Sequence, residues 1–146
     1  MYLKPHGYAS DFEIIERISQ YWKSPEEHLY RWDYYFQEQA MSRTLRYRKG
    51  YLSDLVEELL LSQPGGTIRI LTEGCGAARD VMECLQFLNG VERTRFDCID
   101  KDKKAITCAK KLNKDFSRQI SFITGNAFNY RFEKEYGLVG RWWRLS

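Results

Sequence analysis

From residue 67 onward the chain alternates between two kinds of apolar run, and this alternation restricts the fold more than any other feature. "TIRILTE" (67–73) reads as a buried strand and "RDVMECLQFLNG" (79–90) as a helix closed by Gly90. "TRFDCID" (94–100) reads as a second strand, "DKKAITCAKKLNKDF" (102–116) as a second helix and "ISFITGNAF" (120–128) as a third strand. "YGLVGRWW" (136–143) begins a fourth. Strands and helices alternating across short loops point to an α/β domain built on a parallel sheet. In such sheets ligands bind outside the carboxyl ends of the strands, near the point where strand order reverses.

Residues 1–62 have a different character, helical and rich in aromatics. "SDFEIIERISQYWK" opens with Ser10-Asp11 as a cap and brings Phe12, Ile15, Ile18 and Trp22 near one helical face. "SPEEHLYRWDYYFQEQAM" starts with Ser24 as N-cap and Pro25 at the first helical position. "LRYRKGYLSDLVEELLLS" places Leu52, Leu55, Val56, Leu59 and Leu60 at spacings of three and four, an amphipathic helix. It ends before Gln63-Pro64-Gly65-Gly66, the clearest breaker in the chain. A boundary there divides an N-terminal helical region (1–62) from a sheet domain (63–146).

With 43% hydrophobic and 29% charged residues in 146, the chain can bury one core and stay soluble. No apolar run approaches the ~20 residues of a membrane span, and "MYLKPHGYASDFE" lacks the apolar centre of a signal peptide. A cytoplasmic location is the expectation. Cys75, Cys84, Cys98 and Cys108 form no C-x-x-C pair, and the histidines are His6 and His28, so no metal site is expected. Reduced, mostly buried thiols are expected instead. A net charge of +3 does not by itself point to nucleic acid.

At the end of the first strand stands Gly74-Cys75-Gly76. Glycines there let the backbone take unusual angles and approach a ligand, and the next helix offers unpaired N–H groups. Alone, the tripeptide fits a ligand cradle and a plain strand-to-helix corner equally well. The nicotinamide fingerprint would need a third glycine where Arg79 stands, which argues against a dinucleotide oxidoreductase. The next strand ends at Asp100, 24 residues past Gly76, where an acid can accept hydrogen bonds from ribose hydroxyls. Asp102 is available as the helix cap. The third strand ends in "TGNAF", where Asn126 offers an amide donor and acceptor for an adenine edge and Phe128 a ring to pack on it.

This order of glycine turn, acidic strand end and polar strand end resembles class I S-adenosylmethionine-dependent methyltransferases. "ILTEGCGAARDV" is similar to their first motif, "CIDKDKKAITCAKK" to the second and "ISFITGNAF" to the adenine-contacting segment, over roughly residues 67–139. Ala78-Arg79-Asp80 and "RTLRYRKGYL" also resemble a narrower bacterial branch, some of whose members are assigned the synthesis of a hydroxypalmitate methyl ester. The resemblance implies a Rossmann-like sheet with S-adenosylmethionine as cofactor. Gly74, Cys75 and Gly76 would line its methionine part, Asp100 would hold the ribose and Lys101 would flank the adenine. Asn126, Ala127 and Phe128 would close the adenine pocket. The family usually has an acid two residues before the first glycine; here that residue is Thr72, and the acid is Glu73. Neighbouring strand residues face opposite ways, so Glu73 meets the cofactor's amino group only if the strand end twists.

The family sheet has seven strands, of which about four are readable, and Gly137 stands where the fourth strand usually carries an acid. A chain truncated after that strand would keep much of the cofactor pocket and lack the segments that usually follow it. Its open edge would favour self-association into an oligomer. The N-terminal helices would form a lid, with Tyr34, Tyr35 and Tyr47 as candidate lid aromatics. Methyl transfer needs mainly proximity and orientation, so the absence of a nucleophilic triad is no objection. The acceptor would be a small or lipid-like molecule. The competing expectation is a non-catalytic interaction module, with Arg43, Arg46, Arg48, Lys49 and Tyr47 touching nucleic acid.

Overall fold

The computed structural model describes residues 12–131 and 134–141. Helices α1 (Phe12–Ser19), α2 (Glu27–Gln37) and α3 (Ala40–Ser62) precede β1 (Ile68–Glu73), α4 (Arg79–Phe87), β2 (Thr94–Asp100), α5 (Lys103–Leu112), β3 (Ile120–Thr124) and β4 (Leu138–Arg141). The strands form one parallel sheet in the order β3-β2-β1-β4. The chain steps from β1 out to β3, then returns to the far side of β1. Strand order therefore reverses beside β1, where the glycine turn begins.

Strand alternation sends Ile68, Ile70, Phe96, Cys98 and Ile120 to one face. There they pack with Leu52, Val56 and Leu60 of α3, Val81, Cys84 and Leu85 of α4, and Ile106 and Ala109 of α5. The opposite face carries Leu71, Asp97 and Ile99, all buried. On this face Asp97 Oδ2 accepts from Lys134 Nζ (3.0 Å) and Tyr136 Oη (2.8 Å). Burial and the Asp97 carboxylate both push the Tyr136 phenol upward, so it stays protonated and donating.

Several boundaries differ from the sequence reading. The α1 helix stops at Ser19, and Trp22 lies beyond it after Tyr21, which takes a positive φ of 53°. Ser10-Asp11 and Trp142-Trp143 lie outside the described residues. Ser24 and Pro25 precede α2 instead of starting it. Ser24 closes the approach turn, its N–H donating to Asp33 Oδ2 (2.9 Å) and its Oγ accepting from Glu26 N–H (3.1 Å). The α3 helix begins at Ala40, so "AMSRT" belongs to it. Gly90 does not close α4, which ends at Phe87; at φ 94° it opens a short 3-10 turn, Val91–Arg93. The third strand ends at Thr124, and 125–128 leave it as a loop. Asp102 does cap α5, its Oδ1 accepting from Lys104 N–H (2.8 Å).

The three N-terminal helices are tied together by a buried amide. Gln37 Nε2 donates to the Trp22 carbonyl (2.9 Å) and its Oε1 accepts from Arg46 Nη1 (2.7 Å). Among the described residues no helix is long and apolar enough to cross a membrane.

Candidate functional site

The turn after β1 is built almost wholly from backbone and one carboxylate. Gly74 N–H and Cys75 N–H both donate to the Ile99 carbonyl, at 2.8 and 3.2 Å. Gly76 N–H donates to Asp100 Oδ2 (2.8 Å), while Asp100 Oδ1 accepts from Asp102 N–H (2.9 Å). One side chain at the end of β2 thus fixes two loops. Gly74 (φ 67°), Gly76 (φ 55°) and Ala78 (φ 51°) all take the left-handed conformation, which glycine adopts freely and alanine does not. From below, Asn113 at the end of α5 is buried against the turn, its Nδ2 donating to the Ala109 (2.9 Å) and Ala78 (3.4 Å) carbonyls.

Above the turn lies a cavity of about 490 Å³, a size suited to a small ligand. Its floor is Gly74, Cys75, Gly76, Asp100, Lys101, Asn126, Ala127 and Phe128. Eight of the nine residues expected to bind cofactor are therefore gathered in one place. Glu73 is the exception: it is buried in β1 and does not line the cavity. Thr72 is buried too, donating from Oγ1 to Cys98 Sγ (3.0 Å) inside the core. Asn126 Oδ1 accepts from Phe128 N–H (3.0 Å), closing the loop and leaving the amide Nδ2 as the group to offer a ligand. Phe128 is largely exposed at the rim.

The opposite wall comes from α1 and α3, through Phe12, Ile15, Met41 and Leu45 and the charged Glu16, Arg48 and Lys49. Arg79, at the start of α4, reaches across to α1 and is bound by Glu16 Oε1, with Nε at 2.7 Å. That pairing raises the already high pKa of the guanidinium. Lys49 Nζ lies 2.7 Å from Glu83 Oε2. Arg48 Nη2 stands 3.9 Å from Asp80 Oδ2. Sequence reasoning assigned the acids Glu16, Asp80 and Glu83 no role. Arg46, Arg48 and Lys49, offered only in the competing expectation as nucleic-acid contacts, each have a protein partner. Tyr34, Tyr35 and Tyr47, read as lid aromatics, are 50%, 63% and 69% exposed and do not line the cavity.

All four cysteines are free thiols, three of them buried. Cys75 sits in the turn, and its hydrogen bond to Cys98 together with burial pushes its pKa well up. Burial lifts Cys84 to about 11. The cavity floor therefore presents a neutral thiol, not a thiolate nucleophile.

No protein-family model matches the sequence, and no curated protein matches it. Solved structures do. A possible exported protein from Bordetella parapertussis superposes with a TM-score of 0.66 at 16% identity, over 89% of this chain and 42% of that one. The plantazolicin methyltransferase BpumL, in complex with a triazolic desmethylPZN analog and SAH, gives 0.51 at 19% identity, over 88% and 46%. Residues 961–1257 of StiE O-MT give 0.52 at 15% identity, over 70% and 36%. The fold is thus the Rossmann-like α/β fold found in methyltransferases. The chain spans less than half the length of these three structures.

Proposed function

We propose that the cavity binds S-adenosylmethionine and that the chain is the cofactor-binding part of a methyltransferase. One observation carries this reading: Asp100 holds the glycine turn at Gly76 while its carboxylate faces the cavity that Asn126 and Phe128 complete. An ionised carboxylate offers about four acceptor positions, and the two backbone N–H groups use two of them. The remainder suit a pair of ribose hydroxyls. Asn126 Nδ2 and the Phe128 ring would hold the adenine, and the left-handed backbone at Gly74 and Gly76 would let the methionine part approach. When bound, the cofactor supplies an electrophilic methyl group on a sulfonium. The protein's part is to orient it and exclude water. The neutral Cys75 thiol adds no competing nucleophile.

The apolar wall of Phe12, Ile15, Met41 and Leu45 supports a small or lipid-like acceptor placed opposite the floor. Two further readings belong with this proposal. The location is cytoplasmic, and copies associate through the edge of β4, where Val139 is 44% exposed. A sharp monomer boundary in sedimentation at micromolar concentration would refute the association.

Calorimetric titration with S-adenosylhomocysteine tests the cofactor reading. Saturable binding is expected, weakened about 10- to 100-fold by Asp100→Asn, the loss for hydrogen bonds to a charged group. Absence of heat at millimolar ligand, in wild type and variant alike, would overturn it.

A further inference from the structure

On the helical wall, the Arg48–Asp80 pair behaves differently from its neighbours. Arg79 and Lys49 close on Glu16 and Glu83 at hydrogen-bond distance. Arg48 and Asp80 stop at 3.9 Å, although both side chains are largely buried. Asp80 Oδ1 accepts from Val81 N–H (3.0 Å), while its buried Oδ2 has no hydrogen bond among the described residues. Burial raises the Asp80 pKa, and the nearby Arg48 offsets that only in part. A buried carboxylate held this way is costly unless a further donor arrives.

Both residues line the cavity beside the glycine turn. A simple anion there would suit Arg48 and be repelled by Asp80, and a simple cation would meet the reverse. A group carrying an ammonium and a carboxylate on one carbon satisfies both. Glu73, the acid that the usual pattern would offer to an ammonium, does not line the cavity.

We propose that Asp80 and Arg48 form a clamp for an α-amino-acid head group, Asp80 Oδ2 accepting from the ammonium and the Arg48 guanidinium donating to the carboxylate. The proposal rests on the cofactor reading above and deepens it, since the methionine part of that cofactor is such a zwitterion. The acid for the amino group is moved from the end of β1 to the first turn of α4. The clamp makes the pocket select ligands that carry the head group over those that share the rest of the molecule.

The test compares two ligands that differ in that group, S-adenosylhomocysteine and 5′-methylthioadenosine, by calorimetry on the full chain. Wild type should bind S-adenosylhomocysteine at least about 10-fold more tightly. Asp80→Asn should remove most of that preference while leaving 5′-methylthioadenosine affinity within about two-fold, because a neutral amide no longer attracts the ammonium. Arg48→Gln should act in the same sense, and it keeps the question open to refutation if one variant does not fold. Equal losses on both ligands would mark the pair as merely structural and overturn the clamp. So would unchanged affinities in folded variants, or a wild type that binds the two ligands equally. A wild type that binds neither ligand would refute the cofactor reading itself, a different outcome from failure of the clamp.

Discussion

The cavity has two walls made by different physics. The strand-end wall is held by backbone hydrogen bonds converging on Ile99 and Asp100 and by left-handed turns. The helical wall is held by ion pairs between α1, α3 and α4, with apolar side chains between them. Backbone bonds in a packed turn are short-range and nearly indifferent to salt. Ion pairs at partly exposed positions weaken as ionic strength rises. The floor is therefore expected to keep its shape under conditions that loosen the wall opposite, which would let α1 move aside for a ligand without disturbing its cradle.

The largest effect should come from cutting the floor at the carboxylate that fixes two of its loops. Asp100→Ala removes the acceptor for Gly76 N–H and Asp102 N–H together. A loss of about 2 kcal/mol of stability is expected, since each bond involves a charged acceptor and neither group is fully buried. Urea denaturation measures it. An unchanged midpoint would mean that the Ile99 carbonyl and Asn113 hold the turn without the carboxylate, and the contrast between the walls would lose its basis.

The helical wall should yield less, and in a salt-dependent way. Glu16→Gln removes the charge from the contact with Arg79, a pair with side-chain exposures of 17% and 20%. About 1 kcal/mol is expected at low salt, shrinking as salt is added. The same titration on Asp100→Ala should show no such trend. Equal salt dependence in the two variants would erase the distinction between the walls.

The two walls also differ in how far they were legible from the sequence. Gly74, Gly76, Asp100 and Asn126 could be placed because they sit at strand ends, and the order of strands along the chain brings those ends to one side of a parallel sheet. The helical partners could not. Glu16 and Arg79 lie 63 residues apart, and a charge on an amphipathic helix reads as a solvated face until the helix is docked. The same ambiguity turned Arg48 and Lys49 outward on paper. Glu73 lies off the cavity for a local reason: strand alternation continues to the last residue of β1, so the neighbour of the usual position faces elsewhere. The start of α3 was misplaced because Ala40-Met41 reads as the end of the preceding helical stretch.

Asp80 lets the helical wall be probed by pH. Its native pKa is raised above 3.8, mainly by burial. Between 3.8 and that raised value the folded state holds a proton that the unfolded state has released. Stability therefore falls as pH rises through this window, and ionised Asp80 weakens the fold at neutral pH. Asp80→Asn lacks this titration. At pH 7 it should melt no lower than wild type, and near pH 3 its relative advantage should vanish. A clear drop in melting temperature at pH 7 would show that Arg48 fully compensates the carboxylate, leaving the helical wall no strained ion pair.

The smallest effect returns to the floor. Ala78 stands immediately before α4 at φ 51°, ψ 37°, in the left-handed region, with its side chain buried. An L-residue there is strained by about 1–2 kcal/mol. Glycine removes that strain, but the freer unfolded chain takes back roughly 0.5–1 kcal/mol. That leaves roughly 0.5 kcal/mol in favour of glycine, against about 0.8 kcal/mol for the buried methyl group it lacks, so Ala78→Gly should stay within about 0.5 kcal/mol of wild type. The sign is the informative part. Stabilisation means that the floor keeps its left-handed turn against a local preference, as a rigid cradle must. Destabilisation would mean that the Ala78 methyl does more by packing than the turn loses by strain, and the floor would then depend on side-chain packing much as the helical wall does.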